Sequence, residues 1–254
     1  MTESNSNLIS SFRKIVGTKN AIISKWEKQT FENGWRYGKG SCFAVVKPKD
    51  LLELWEVLKV CVNFDTNIIM QAANTGLTGG STPSGNDYDR PVVIINTLRI
   101  KDIHILNNAK QIIAFAGSTL FDLEKKIAPF NREPHSVIGS TSVGASIVGG
   151  ICNNSGGSLV KRGPAYTELA LYAKINNEGK LELINELDIN LGECAEEILH
   201  NLQNKSYGHD HINFTEKLAS DNDYSNIVRD IHSDSPSRYN SDQRMLFGAS
   251  GSSG

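Results

Sequence analysis

Two stretches of this chain are built from residues that serve ligands better than cores. The first, Ala72-Ala73-Asn74-Thr75-Gly76-Leu77-Thr78-Gly79-Gly80-Ser81, closes the apolar run IIMQAA at 68–73. Its glycines let a backbone approach a ligand closely and adopt positive φ, and successive N–H groups in such turns form concavities for anions. Thr75, Thr78 and Ser81 add hydroxyl donors. A pyrophosphate is satisfied by groups of this kind without a lysine. The alternative is a surface loop of ordinary turn residues, because short glycine motifs recur by chance.

The second stretch is VIGSTSVGASIVGGICNNSGGS at 137–158. Small residues alternate there with Val143, Ile147, Val148 and Ile151, a pattern that suits a tightly packed backbone beside a flat or extended ligand. Close packing of a helix on a sheet is the alternative for that segment alone. Both stretches lie at the edges of apolar strands, and together they point to a dinucleotide. Neither has the GxGxxG of a doubly wound nucleotide domain, and no Gly-Lys-Ser/Thr of a P-loop occurs in the chain.

The elements that must position these loops follow from periodicity. CFAVVK at 42–47 reads as a strand stopped by Pro48, and Leu51, Leu54, Trp55, Leu58 and Val62 recur at helical spacing behind Asp50, a natural N-cap. With the strand at 68–73 this makes a βαβ unit with parallel strands. Residues 74–90 read as loop, and VVIIN at 92–96 as a buried strand. Shorter strands are expected at 103–106 and 111–116, and a helix at 119–128. ALYAKIN and KLELIN form a hairpin around Asn177-Glu178-Gly179, and 193–203 reads as helix. No element is assigned with any firmness across 204–243. The mixture is α+β, parallel early and more antiparallel later.

The chain's 254 residues, 39% hydrophobic and 21% charged, suffice for a real core. A formal net charge of -2 gives no footprint for nucleic acid. No apolar run approaches the roughly 20 residues of a membrane span, and the N-terminus lacks the apolar core of a secretory signal. Cys42, Cys61, Cys152 and Cys194 are scattered without metal-ligand spacing, which reads as reduced thiols of a cytosolic protein and no metal.

The stretches QAANTGLTGGSTPSGNDYDRPVVIINTLR (71–99) and REPHSVIGSTSVGASIVGGICNNSGGSLVKRGPAYTE (132–168) closely resemble the bacterial quinone-dependent D-lactate dehydrogenases, flavoenzymes of the vanillyl-alcohol oxidase type. Similarity continues through LLELWEVLKVCV (51–62) and residues 229–240, so it covers nearly the whole chain. The resemblance implies an α+β FAD-binding domain of the PCMH/VAO type, with the flavin held between two subdomains. Residues 1–40 would be a helical and loop lead-in, 41–110 the first subdomain and 111–254 the second, cut short at its C-terminus. The closing GASGSSG fits a family turn and is taken as natural sequence, an appended tail being the alternative.

By the same resemblance, Ala72, Ala73, Asn74, Thr75, Gly76, Gly80 and Ser81 cradle the FAD pyrophosphate. Gly139, Ser146 and Gly156 make further flavin contacts, with Ser140, Gly149, Gly150 and Asn153 as neighbours. The first loop has no histidine, so FAD is expected to be non-covalent. His135 is expected to be structural, and His104, His200, His209, His211 and His232 to be surface residues of loops. The implied activity is oxidation of D-lactate to pyruvate, with electrons passed to a membrane quinone. The implied setting is peripheral, on the cytoplasmic side of the inner membrane, with the catalytic groups and membrane contact on later parts of the family's chain. A dehydrogenase of another 2-hydroxy acid and a non-catalytic nucleotide-binding module are the alternatives.

Overall fold

The computed structural model describes residues 3–134, 139–153, 155, 167 and 169–213. Helix α1 (Glu3–Val16) buries Leu8, Ile9, Phe12 and Val16 along one stripe. It ends at Gly17, whose φ of 79° lets its N–H turn back onto the Arg13 carbonyl at 3.0 Å. A two-residue strand β1 (Ala21–Ile22) and helix α2 (Lys25–Glu32), none of whose residues is buried, lead to strand β2 (Ala44–Val46). Helix α3 (Leu51–Asn63) follows, and the Asp50 carboxylate accepts from the Glu53 N–H at 2.7 Å as the expected cap. Strands β3 (Asn67–Gln71) and β4 (Val92–Asn96) complete a four-stranded sheet of order β1-β2-β4-β3.

The expected βαβ unit is present with its strands parallel, but β4 inserts between β2 and β3, and the third strand stops at Gln71 rather than running through Ala73. A central parallel strand must be covered on both faces, and all five residues of β4 are buried. Val93 and Ile95 face Leu8, Phe12 and Val16 of α1 and Val57 and Cys61 of α3. Val92 and Ile94 face the other way, against Cys42 and Val45, with Ile22, Phe31 and Ile69 beside them. Each such side chain contributes about 1.5–3 kcal/mol by leaving water.

The later part is antiparallel. Strands β5 (Ile103–Leu106) and β6 (Gln111–Ala114) form a hairpin, followed by helix α4 (Leu120–Ile127) capped by Thr119. Helix α5 is short (Ile147–Cys152). Strands β7 (Ala170–Ile175) and β8 (Leu181–Glu186) pair antiparallel, and helix α6 (Ala195–Gln203) closes the described chain. Ile103, Leu120, Leu123, Ile127, Ala145 and Ile147 make one core here; Ile113, Phe115, Ile189, Leu191, Ile198 and Leu202 make another. Helices α3 and α6 are tied by Trp55 Nε1 donating to Glu196 at 3.0 Å and Leu51 N–H donating to Gln203 at 2.9 Å. Residue 110, the sequence-based subdomain boundary, falls inside the β5–β6 hairpin, and the lead-in 1–40 supplies α1 and β1 to the first core.

His104 departs from expectation. It sits in β5 and is only 4% exposed, packed against the Phe115 and Tyr207 rings. An aromatic ring with two polar edges fills a strand position that alternation alone did not mark.

Candidate dinucleotide site

The chain leaves β3 at Gln71, a buried residue whose amide fixes the following loop. Its Nε2 donates to the carbonyls of Phe31 at 2.9 Å and Ser81 at 2.8 Å. From the next strand, buried Asn96 donates to the Ala72 carbonyl at 3.1 Å. Asn74 adopts left-handed φ of 56°, and its side chain bridges the loop. Its Oδ1 accepts from Ser81 Oγ at 2.8 Å and Thr82 Oγ1 at 3.0 Å, while Nδ2 donates to the Asn33 carbonyl at 2.9 Å.

These bonds consume carbonyls and side chains and leave the amides over. Among the described residues, no group accepts a hydrogen bond from any backbone N–H of residues 73–81, and the Thr75 and Thr78 hydroxyls are equally unpartnered. Residues 72–76 are half-buried, while Leu77, Thr78 and Gly80 are exposed, so the donors lie at or near the surface where a ligand could reach them. No side chain from 72 to 86 carries a charge. Gly76 does not have positive φ, and a Cβ there would meet only Asn153 Oδ1, at 3.7 Å. Its missing side chain leaves room for a ligand rather than relieving strain. Gly79 is the strained position, with φ of 77° and the Tyr37 ring 3.1 Å from where a Cβ would stand.

Asn153 belongs to the second stretch, so the structure brings the two glycine-rich segments together. The second spends its donors on itself. Ser146, 3% exposed, caps α5 by accepting from Gly149 N–H at 3.0 Å, and Gly150 N–H reaches the Ser146 carbonyl at 3.0 Å. Ile147 N–H donates to the Ser118 carbonyl at 2.9 Å, and Asn153 Nδ2 to the Gly149 carbonyl at 2.8 Å. Gly139 opens the short 3-10 turn Gly139–Val143. Ser140 accepts from Ala145 N–H at 3.0 Å. Gly156 and His135 lie outside the described residues.

Sequence reasoning missed the turn at 33–40, which packs on the first loop. Trp35 N–H donates to the Asn74 carbonyl at 3.1 Å, and Gly34 N–H to the Gly38 carbonyl at 2.8 Å. Gln71, Asn96 and Thr82 were also missed; polar residues closing the apolar runs IIMQ and VVIIN were the available signal for the first two.

Charge gathers elsewhere, around His104. The Tyr207 hydroxyl and His104 Nδ1 share a hydrogen bond, and His104 Nε2 lies 3.3 Å from Asp102 at an angle that makes no hydrogen bond. Burial, then the Lys205 ammonium, lower the His104 pKa. Burial pushes Asp102 up, but the Ile103 N–H, Lys126 and Lys205 outweigh it and leave the carboxyl at about 2. Burial, with Asp102 nearby, raises Tyr207 to about 12. This cluster holds β5 to the turn after α6.

The first loop has features a dinucleotide needs: amides with no acceptor among the described residues, no carboxylate from 72 to 86, and no close backbone neighbour over Gly76. Residues 43–181 match the family described as FAD binding domain. A quinone-dependent D-lactate dehydrogenase of Haemophilus influenzae is 54% identical over 97% of this chain and 44% of its own length. One of Escherichia coli is 51% identical over 100% of this chain and 44% of its own. The chain thus spans less than half the length of these curated relatives. A solved p-cresol methylhydroxylase with substrate bound superposes with a TM-score of 0.53 at 17% identity, over 72% of this chain and 36% of that one, which shows the fold. The α+β architecture is of the PCMH/VAO type, and the chain belongs to the FAD-binding domain family.

Proposed function

We propose that residues 73–81 hold the pyrophosphate of FAD, as part of a protein that oxidises D-lactate to pyruvate and passes the electrons to a membrane quinone. The observation that carries the site is the unbroken run of unpartnered amides. Such donors, fixed in advance by Asn74 and Gln71, bind an anion without reorganising. The identity shared with two D-lactate dehydrogenases supports the substrate and the quinone.

Bound FAD supplies the two-electron redox chemistry. The residues of this chain bind and orient it. Ala72 and Ala73 keep the backbone accessible, Asn74 sets the curvature, and Thr75, Gly76, Gly80 and Ser81 present amides. Gly139, Ser146 and Gly156 are assigned to the flavin side; buried Ser146 acts there by shaping α5. Groups that grip the hydroxy acid are assigned to the remainder of the longer protein, as is a peripheral contact with the cytoplasmic face of the inner membrane. Among the described residues no helix is long and apolar enough to cross a membrane.

FAD is held non-covalently on this reading, since residues 72–81 contain neither histidine nor cysteine. The test is the visible spectrum of the purified protein before and after acid precipitation. Flavin in the supernatant is expected; yellow precipitate overturns non-covalent attachment, and a colourless protein that FAD does not restore overturns the site. For the longer protein, D-lactate must reduce a quinone analogue faster than other 2-hydroxy acids do.

A further inference from the structure

The turn at 33–40 is bound to the loop at 72–82 more closely than a chance neighbour. Trp35 N–H reaches Asn74 O at 3.1 Å, Asn74 Nδ2 reaches Asn33 O at 2.9 Å, and Gln71 reaches Phe31 O at 2.9 Å. Thr82 Oγ1 stands 3.1 Å from where a Cβ on Gly34 or Gly38 would lie, so both glycines are needed for that approach. Yet the tip of the turn faces solvent. Trp35 is 67% exposed, Tyr37 is 65% exposed, and Arg36 between them in sequence is exposed and makes no hydrogen bond or ion pair among the described residues. Arg36 therefore lies one residue, about 3.8 Å along the chain, beyond Trp35, whose amide bonds Asn74 of the loop. The cradle itself, 72–86, is uncharged. A dinucleotide pyrophosphate carries two negative charges, and neutral amides alone leave them without a counter-charge.

We propose that the turn at 33–40 is a third wall of the dinucleotide site and that Arg36 pairs with the pyrophosphate oxygens. The proposal rests on the FAD reading of the loop and adds a residue to it. Guanidinium suits this role because its fork of donors meets two phosphate oxygens at once.

The experiment titrates the whole chain with FAD by flavin fluorescence across a range of NaCl, and separately with ADP, which carries the pyrophosphate without the flavin. Arg36→Gln is compared with Lys110→Gln, an exposed charge outside the segments bonded to the loop. Arg36→Gln is expected to weaken FAD and ADP alike by about tenfold, the loss of one charge-assisted hydrogen bond in a partly solvated place. It should also flatten the dependence on salt, and Arg36→Lys should recover part of both. Lys110→Gln should change neither. Unchanged affinity and salt dependence in Arg36→Gln, with normal FAD binding by the parent, overturn this inference and spare the loop. Absence of FAD binding by the parent overturns the loop reading and this inference with it.

Discussion

The loop at 72–81 and the segment at 139–153 are alike in composition and opposite in hydrogen bonding. Both mix glycine, serine and threonine with a few apolar residues. In the first, side chains of Gln71 and Asn96 bind carbonyls of the loop, and among the described residues the amides of 73–81 have no acceptor. In the second, Gly149, Gly150 and Asn153 donate back into their own turn, and Ile147 and Leu120 stitch it to α4. The difference teaches that glycine content marks close approach without saying what approaches. Donors left unpaired signal a ligand, and donors used internally signal packing. The meeting of Gly76 with Asn153 makes the second segment a wall for the first.

Substitution should separate the two roles. Gly76→Val meets no backbone clash, so the thermal midpoint should hold, while FAD affinity falls by about a hundredfold or more, two 1.4 kcal/mol steps. Isothermal titration beside a melting curve checks it; normal affinity in a folded variant would return the loop to ordinary surface. Asn74→Ala should affect both readings. It removes the acceptor for Ser81 and Thr82 and places alanine at φ of 56°, so affinity should drop about tenfold and stability by about 2 kcal/mol. Ser146→Ala should cost stability first, about 1 kcal/mol for a lost cap, with FAD affinity following weakly. An affinity loss in Ser146→Ala as deep as that of Gly76→Val would erase the distinction between donor loop and packed wall.

Part of this was legible in the residues and part was not. The Asp50 cap, the α3 stripe, the buried strand VVIIN and the β7–β8 hairpin follow from local pattern, because each is decided within a dozen neighbouring residues. The insertion of β4 between β2 and β3 is not local, and neither alternation nor turn chemistry encodes it. Residues 1–40 read as a helical lead-in, and the burial of Phe12 and its neighbours of α1 in the first core was not legible from them. The turn at 33–40 looks like solvated surface in sequence, since Trp35, Arg36 and Tyr37 show no periodicity; only the bonds to Asn74 and Phe31 reveal its place. Ser146 belongs in a flavin loop by resemblance, and its spacing to Gly149 also fits a cap. Its burial brings the cap to the fore.

The smallest expected effect sets an uncharged region against a charged one. The loop at 72–86 has no titratable side chain. FAD affinity should therefore be flat between pH 7.5 and 5. Stability should not be. His104 is faced by Asp102 from the turn before β5, by Lys126 of α4, and by Lys205 and Tyr207 after α6. Its pKa is lowered in the folded protein, so protonation favours the unfolded chain. The stabilisation is complete above the unfolded value of about 6.5 and declines as pH falls through it toward the folded value. Asp102 contributes in the same direction only below about pH 4, because its carboxyl is held at about 2. The window from 7.5 to 5 thus isolates the histidine. Melting curves across it should show a midpoint lower by a degree or two at the acid end. His104→Phe should lose the Tyr207 bond and start lower, yet show a shallower slope. An unchanged slope in that variant would mean that other groups set the acid response, whereas a slope in FAD affinity would mean that a titrating residue reaches the loop.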